Sequence, residues 1–256
     1  MEFKGYDKGF RLTDRVAMVT GAARGIGKAI AQLYAEKGAD VILVDVLEDV
    51  KEVSASISQF GRKGFPLTGD ITKNDTVKRV VQDSIREFGK IDILVNNAGV
   101  VLLDDAENLP EEDWDRTIAI NLTAPFIMSK YVGREMIKRK SGKIVNIASQ
   151  AGVIALDRHV AYCTSKAGII GLTKVLALEW AEFNINVNAI SPTVVLTELG
   201  KKAWAGEVGE AMKKKIPVRR FGYPEEIAAV ALFLASDAAD MITGENIVID
   251  GGYTIQ

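Results

Sequence analysis

The chain has 256 residues, of which 48% are hydrophobic and 26% charged, and its formal net charge is −2. This is an ordinary globular composition, and it carries no basic field that would hold nucleic acid. A single Cys and a single His exclude an internal disulfide framework and a metal site built from several such ligands. No apolar stretch approaches the ~18 residues of a membrane span, and the N-terminal segment does not resemble a signal peptide. We therefore expect a cytoplasmic protein with no membrane partner and no metal.

Short apolar runs alternate along the chain with longer segments in which apolar residues recur every three or four positions. Several runs are apolar throughout, which is typical of strands that helices cover on both faces. This order predicts βαβ crossovers and a doubly wound parallel sheet in one domain over residues 1–256. Residues 1–13 form an N-terminal extension, and 194–215 form the least regular insertion, near the substrate. The predicted strands cover residues 16–20, 41–45, 65–70, 92–96, 143–149, 185–191 and 246–250. The predicted helices cover residues 26–37, 76–88, 114–137 and 162–183.

The first predicted strand runs directly into a glycine-rich turn, TGAARGIG, at residues 20–27. Glycines permit a tight turn and let the backbone approach a ligand closely. The helix that follows presents unpaired N–H groups and a positive dipole end to an anion such as pyrophosphate. The turn therefore predicts a dinucleotide site, with a tight structural turn as the other interpretation. The candidate cofactor residues here are Gly21, Arg24, Gly25, Ile26 and Gly27.

The second predicted strand ends in a carboxylate, Asp45. A carboxylate at this position can accept hydrogen bonds from both hydroxyls of an adenosine ribose, and it repels a 2′-phosphate. It therefore favours NAD over NADP. Arg24 is a counter-signal, because a cation in the glycine turn could meet a 2′-phosphate. We give Asp45 more weight, since a like charge close to a phosphate is hard to offset; a helix cap or solvated strand end is its other interpretation.

Tyr162 and Lys166 are separated by four positions on a predicted helix, so their side chains share one face. Removal of a hydride from an alcohol requires a base for the hydroxyl proton, and a phenol with a pKa near 10 is a poor one. A nearby ammonium favours the phenolate and lowers that pKa. Ser149 ends the preceding strand and could donate a hydrogen bond to the substrate oxygen. The Tyr-x-x-x-Lys spacing alone is a weak motif, because chance gives about half a pair per chain of this composition.

Further motifs follow in a fixed order: Asp70-Ile71, NNAG at 96–99, Asn121, and Pro192 with Thr197. With these, the chain resembles the short-chain dehydrogenase/reductase family over roughly residues 12–254. The resemblance implies an α/β fold: a single-domain, Rossmann-type, doubly wound, seven-stranded parallel sheet with helices on both faces. It also implies nicotinamide-dependent oxidation and reduction at a carbon that bears oxygen, without a metal in the chemistry. The catalytic set that it implies is Asn121, Ser149, Tyr162 and Lys166.

The resemblance also assigns roles around the cofactor. Asn121 would connect Lys166 to bulk water through ordered solvent, and a buried polar residue at a helix distortion is its other interpretation. Tyr162 and Lys166 would bind the nicotinamide ribose. The sequence departs from the family where Thr193 follows Pro192, because glycine is usual there and a β-branched residue restricts the backbone. The remaining implied cofactor contacts are Asp70 and Ile71 at the adenine, Asn97, Ala98 and Gly99 beside the adenosine ribose, and Pro192, Val195 and Thr197 at the nicotinamide.

The stretch SPTVVLTELGKKAW at 191–204 is similar to the family branch that contains L-xylulose reductase and the arabinitol and mannitol dehydrogenases. Gln150, His159 and Trp204 would suit a short polyhydroxylated chain, with Ser149 and Tyr162 at the reacting oxygen. A structural role for the lone His and a packing role for the Trp remain open. We predict a small polyol and ketose pair or a small diol. The alternatives are a 3-oxoacyl-[acyl-carrier-protein] reductase using NADPH, and a dinucleotide-binding regulatory module without turnover.

The predicted helices at 114–137 and 162–183 are apolar on more than one face, and such helices need burial on more than one side. The family commonly pairs these two helices between subunits. The resemblance therefore implies a homotetramer, in which the last strand and the C-terminal tail could add a second interface.

Overall fold

A single sheet of seven parallel strands runs through the molecule. The computed structural model describes residues 6–255, apart from the side chains of residues 199, 202 and 203. The strands are β1 (Val16–Thr20), β2 (Asp40–Asp45), β3 (Gly64–Thr68), β4 (Ile93–Asn96), β5 (Gly142–Ile147), β6 (Ile185–Pro192) and β7 (Asn246–Ile249). Their order in the sheet is β3-β2-β1-β4-β5-β6-β7, and every pairing is parallel. The prediction of a doubly wound, seven-stranded Rossmann-type sheet is confirmed.

Helices cover both faces of the sheet. They are α1 (Gly25–Glu36), α2 (Val50–Ile57), α3 (Asn74–Phe88), α4 (Glu111–Ile118), α5 (Ala124–Arg139), α6 (Val160–Trp180), α7 (Glu198–Ala203), α8 (Glu207–Lys215) and α9 (Pro224–Ala235). The core on one face joins α1, α2 and α9, and the core on the other joins α3, α5 and α6. All five residues of β1 are buried between the two cores. The uninterrupted apolar runs of the sequence arise from this double coverage.

Two predicted helical regions differ from the structure. The helix predicted at 114–137 is divided into α4 and α5 by a π-helical turn at Ala119–Thr123. The insertion predicted as irregular at 194–215 holds α7 and α8. Neither α2 nor α9 was among the predicted helices, because α2 is only two turns long and α9 is apolar around most of its surface.

The N-terminal extension predicted at 1–13 is partly packed on the sheet. Residues 1–5 lie outside the described part of the chain. Leu12 is buried in the core beneath α1, and its amide donates a hydrogen bond to the carbonyl of Lys37 over 2.7 Å. Phe10 packs edge-on against Phe233 of α9, with 5.8 Å between the ring centroids. The segment 10–12 therefore closes the amino-terminal side of that core.

Among the helices of residues 6–255, none combines the length and the apolar character that a membrane crossing needs.

Candidate active site

A cleft of about 760 Å³ opens at the carboxyl ends of β1, β2 and β4. The strand order reverses between β1 and β4, and such a switch point is where open α/β sheets bind ligands. Eleven predicted cofactor residues line the cleft: Gly21, Arg24, Gly25, Ile26, Asp45, Asp70, Ile71, Asn97, Ala98, Gly99 and Thr197. Sequence reasoning missed the other lining residues, which carry no motif of their own: Val44, Val46, Leu47, Gly69, Thr72, Val100, Arg116, Ala119, Ile120 and Glu198.

The glycine turn is packed more tightly than any other residue type would allow. A Cβ built on Gly27 would lie 2.1 Å from the carbonyl oxygen of Gly21, so only glycine fits there. Gly25 opens α1 with a φ of +57°, a conformation that side chains disfavour. The start of α1 has no side-chain cap and no acidic residue in its first turn. Its first N–H groups therefore remain available to an anion, which fits the pyrophosphate of a dinucleotide.

Asp45 lies half-buried at the end of β2, beside the glycine turn. One carboxylate oxygen accepts the amide of Ala23 at 2.9 Å, and the other accepts the amide of Leu47 at 3.0 Å. A carboxylate offers about four acceptor positions, so each oxygen can still accept a ribose hydroxyl. Arg24 is exposed and lines the same cleft, so the cation that could meet a 2′-phosphate lies in the same cleft as Asp45.

The NNAG turn fastens the end of β4 to the glycine turn. The side-chain amide of Asn97 donates to the carbonyls of Thr20 and Gly21, each over 3.0 Å. The hydroxyl of Thr20 in return accepts the backbone amides of Asn97 and Ala98 at 3.0 and 3.2 Å. The side chain of Asn97 thus holds the cofactor turn in place, while the predicted ribose contact of 97–99 stays a prediction.

Asn121 is buried in the π-helical turn between α4 and α5. Its amide oxygen accepts the N–H of Val100 at 2.8 Å, and its amide nitrogen donates to the carbonyl of Val100 at 2.9 Å. The same nitrogen donates to the hydroxyl of Ser165 on α6 over 3.2 Å. A Cβ on Gly99 would lie 3.3 Å from the amide oxygen of Asn121 and 3.7 Å from Nζ of Lys166. The two predicted catalytic residues therefore flank the same glycine, and π turns recur at functional sites.

Ser149, Tyr162 and Lys166 meet where β5 ends against α6. Ser149 is buried, accepts the amide of Ala151 at 3.1 Å, and forms a hydrogen bond with Tyr162. Nζ of Lys166 lies 5.7 Å from the centroid of the Tyr162 ring and donates to the carbonyl of Ile147 over 2.7 Å. The fold thus brings together three members of the predicted catalytic set.

Burial dominates the ionisation of this pair. It raises the pKa of Tyr162, and the hydrogen bond with Ser149 only partly opposes that effect. Burial also lowers the pKa of Lys166 to about 8. Desolvation is thus the largest influence on both groups in the chain by itself, and the expectation that Lys166 and an oxidised nicotinamide together lower the pKa of Tyr162 stays a prediction.

The predicted nicotinamide contacts lie beyond the end of β6. Pro192 is its last, buried residue, and Val195 pairs with Gly222 in an isolated parallel bridge. The hydroxyl of Thr197 accepts the amide of Gly200 at 3.0 Å and so caps α7. A hydroxyl that accepts one hydrogen bond can still donate another to a ligand.

The three predicted substrate residues differ in their surroundings. Gln150 is buried directly after Ser149. The ring of His159 meets the ring of Tyr162 edge-on, with 6.1 Å between centroids. The ring of Trp204 packs against Phe221 at 6.0 Å. Gln150 and His159 therefore adjoin the predicted catalytic residues, whereas Trp204 makes a packing contact, and the substrate role of all three stays a prediction.

A sheet that sets a tyrosine–lysine pair beside a dinucleotide cleft defines a class of nicotinamide-dependent oxidoreductases. Within that class, a family model described as enoyl-(acyl carrier protein) reductase matches residues 21–254. The chain belongs to the short-chain dehydrogenase/reductase family, as its motifs indicated.

Individual relatives are similar over the full length. The NAD-dependent glycerol dehydrogenase of Listeria innocua serovar 6a is 63% identical over 256 residues, all of both chains. The D-threitol dehydrogenase of Mycolicibacterium smegmatis is 54% identical and covers 98% of this chain and 96% of its own. The crystal structure of NAD+-bound xylitol dehydrogenase has a TM-score of 0.90 at 36% identity, covering 94% of this chain and 99% of its own. The prediction of a dehydrogenase of this family is confirmed.

Proposed function

We propose that the protein is an NAD-dependent dehydrogenase that interconverts a secondary alcohol of a small polyol or diol and the corresponding ketone or ketose. The observation that carries this proposal is the contact of Tyr162 with Ser149 at the end of β5, with Lys166 beside it. The names of the relatives at 63% and 54% identity support a polyol as the substrate. Asp45 and the name of the first of these relatives support NAD over NADP.

The cofactor would lie along the cleft, from the glycine turn to the end of β6. The pyrophosphate would bind the amides of 21–27, and the adenosine ribose would bind Asp45 and 97–99. Asp70 and Ile71 would contact the adenine, and Lys166 the nicotinamide ribose. NAD supplies the acceptor for the hydride that leaves the alcohol carbon. The nicotinamide would contact Pro192, Val195 and Thr197.

Proton transfer would be the task of the chain's own residues. The Ser149 hydroxyl would hold the substrate oxygen by a hydrogen bond, and the phenol oxygen of Tyr162 would take the hydroxyl proton in the oxidative direction. Positive charge from the oxidised nicotinamide, together with protonated Lys166, would stabilise the phenolate against the desolvation that raises its pKa. Asn121 would hold the loop at Val100 and so keep the path from Lys166 to solvent in place.

The polar groups near Tyr162 suit a substrate with several hydroxyls. Gln150 and His159 offer hydrogen bonds within reach of the catalytic centre, which a polyol can use and a long acyl chain cannot. Trp204 would cover the carbon face of the substrate from the insertion at 194–215. The chain over 1–256 would act as one dinucleotide-binding and catalytic domain.

A homotetramer in the cytoplasm, where NAD is plentiful, is part of the same proposal. Phe126 of α5 and Val175 and Leu178 of α6 are 42%, 52% and 82% exposed, so both helices that the family pairs between subunits carry large exposed apolar side chains. Met241 and Ile255, near β7 and the C-terminal tail, are 95% and 88% exposed. Two separate apolar surfaces fit the two kinds of interface that a tetramer uses. Light scattering during gel filtration would report the mass of the assembly.

The decisive experiment assays a panel of C3–C6 polyols and ketoses with NAD(H) and NADP(H), with Tyr162→Phe as the matched control. We expect NAD-dependent oxidation of at least one small polyol, and loss of turnover in the variant with NAD binding retained. Faster reduction of an acetoacetyl thioester with NADPH would favour a 3-oxoacyl-[acyl-carrier-protein] reductase instead. Binding of NAD without turnover of any substrate would favour a regulatory module.

A further inference from the structure

Two buried polar atoms near the catalytic centre have no hydrogen-bond partner within residues 6–255. They are the side-chain carbonyl oxygen of Gln150 and the hydroxyl oxygen of Thr193. Gln150 is only 3% exposed. A buried polar atom without a partner costs free energy, so native proteins seldom keep one without a reason such as a ligand or an ordered water.

The order of the strands sets these two residues at the same edge of the sheet. β5 and β6 are parallel neighbours, and their last printed pair joins Ile147 to Ile190. The pairing continues one step further, because the amide of Ala148 donates to Ile190 over 2.8 Å. Gln150 lies three residues beyond the end of β5, and Thr193 lies one residue beyond the end of β6. Neighbouring strands lie about 4.8 Å apart, so the two residues extend from adjacent strand ends.

The backbone keeps both residues close to the carboxyl edge of the sheet. Ser149 keeps an extended conformation, with φ −169° and ψ 156°, before the short 3₁₀ turn at Gln150–Gly152 begins. The amide of Thr193 donates to Ile249 of β7 over 3.0 Å, so the sheet persists to that residue.

The turn that holds Gln150 also lies against the catalytic helix. A Cβ on Gly152 would be 2.7 Å from the backbone of Lys166. Gln150 itself follows Ser149, the residue that bonds Tyr162. Gln150 thus adjoins the place where the reacting oxygen would be held, and Thr193 extends from the end of the neighbouring strand. Thr193 as a residue is only part-buried, and rotation about one side-chain bond can turn its hydroxyl toward an incoming group.

The chemistry of the two atoms defines the group that would satisfy both. A Gln carbonyl oxygen only accepts hydrogen bonds, whereas a Thr hydroxyl donates and accepts. One further hydroxyl can donate to Gln150 and accept from Thr193 at the same time. We propose that Thr193, together with Gln150, binds the substrate hydroxyl next to the reacting carbon and thereby makes the enzyme select diols over simple alcohols. This assignment rests on the proposed function and specifies its substrate site.

The test compares two substrates that differ by one hydroxyl, propane-1,2-diol and propan-2-ol, with NAD as the acceptor. Thr193→Val replaces the hydroxyl with a methyl group of similar size, and Thr193→Ser keeps the hydroxyl as the matched control. We expect the ratio of kcat/KM for the diol to that for the simple alcohol to fall about tenfold or more in the Val variant. The Ser variant keeps the ratio within about threefold, and both variants bind NAD as the wild type does.

The possible outcomes separate the site from the function. A wild type that prefers the diol, with a ratio that Thr193→Val leaves unchanged, would overturn the assignment alone and point to a buried water or packing. Equal losses on both substrates, or a matching loss of NAD affinity, would also overturn it, because Thr193 would then serve the cofactor or the backbone. A wild type without turnover of any diol or polyol would overturn the proposed function and this assignment with it. Thermal unfolding of each variant confirms that it is folded.

Discussion

Replacement of Lys166 by methionine should stabilise the cofactor-free protein while it abolishes turnover. Methionine fills similar space and has no charge to desolvate. Burial lowers the pKa of Lys166 from 10.5 to about 8, and at 1.36 kcal/mol per unit this corresponds to a cost of about 3 kcal/mol at pH 7. The variant gives up the hydrogen bond to Ile147, which is worth about 1 kcal/mol. We therefore expect Lys166→Met to raise the free energy of unfolding by about 2 kcal/mol at pH 7.

Lys166 also makes the free energy of unfolding of the wild type depend on pH. The pKa of Lys166 is lower in the folded chain than in the unfolded one, so between about pH 8 and pH 10.5 the unfolded chain binds the extra proton. The stability contributed by this residue rises with pH across that window. The advantage of Lys166→Met should accordingly shrink to about zero at pH 10, where folded Lys166 is already neutral.

Urea unfolding of the cofactor-free protein at pH 7 and pH 10 measures both effects. Lys174→Met is the matched control, because Lys174 is an exposed lysine on the same helix. Its effect should stay within about 0.5 kcal/mol at either pH. The prediction is wrong if Lys166→Met is less stable than the wild type at pH 7. It is also wrong if the variant differs from the wild type by the same free energy of unfolding at pH 7 and pH 10.

Three further predictions concern the cofactor cleft and the start of α9. Asp45→Ala should raise the ratio of kcat/KM for NADP to that for NAD about tenfold, because it removes the charge that repels a 2′-phosphate; an unchanged ratio in steady-state kinetics would contradict the account of cofactor choice. Gly27→Ala should lower the free energy of unfolding in urea by about 1–3 kcal/mol and lower the affinity for NAD measured by calorimetry, since the Cβ of the alanine would clash with the Gly21 carbonyl. Glu226, whose pKa the paired Arg220 lowers to about 2, stabilises the fold above pH 4.5 and loses that effect as pH falls toward about 2. The free energies of unfolding of Glu226→Gln and of the wild type should therefore differ at pH 5 and become equal in strong acid. A difference that stays constant with pH would exclude a charge effect.

The sheet could be predicted from the sequence because its signal is local. A strand such as β1, buried on both faces, must be apolar at every position, and a run of five apolar or small residues shows that directly. The glycine turn and Asp45 could be predicted equally well from the sequence, since each stands at the end of a strand. Their meeting in one cleft follows from parallel strands that share a carboxyl edge.

Other features depend on contacts that no spacing reveals. The NNAG motif marked Asn97 as a ribose neighbour, yet its side chain bonds the backbone of the glycine turn, 76 positions away along the chain. The missing hydrogen-bond partners of the Gln150 and Thr193 oxygens depend on how the chain packs beyond the ends of β5 and β6. The pKa of Tyr162 depends on how far the surrounding chain shields the phenol from water, and a pattern of residue types does not report that burial. These properties belong to the packing and not to the motif.

The π-helical turn at Ala119–Thr123 makes the position of Asn121 sensitive to chain length. A π turn holds one residue more than the α-helical turn that would replace it, and the surplus residue bulges from the helix with little effect on the direction of the flanking turns. Loss of one residue from this turn would let a continuous α-helix form, and α4 and α5 would keep nearly the same faces. Asn121 would leave its bonds to Val100 and Ser165, although no catalytic residue had been replaced. In evolutionary terms, this stretch tolerates exchange of residue type more readily than a change in residue number.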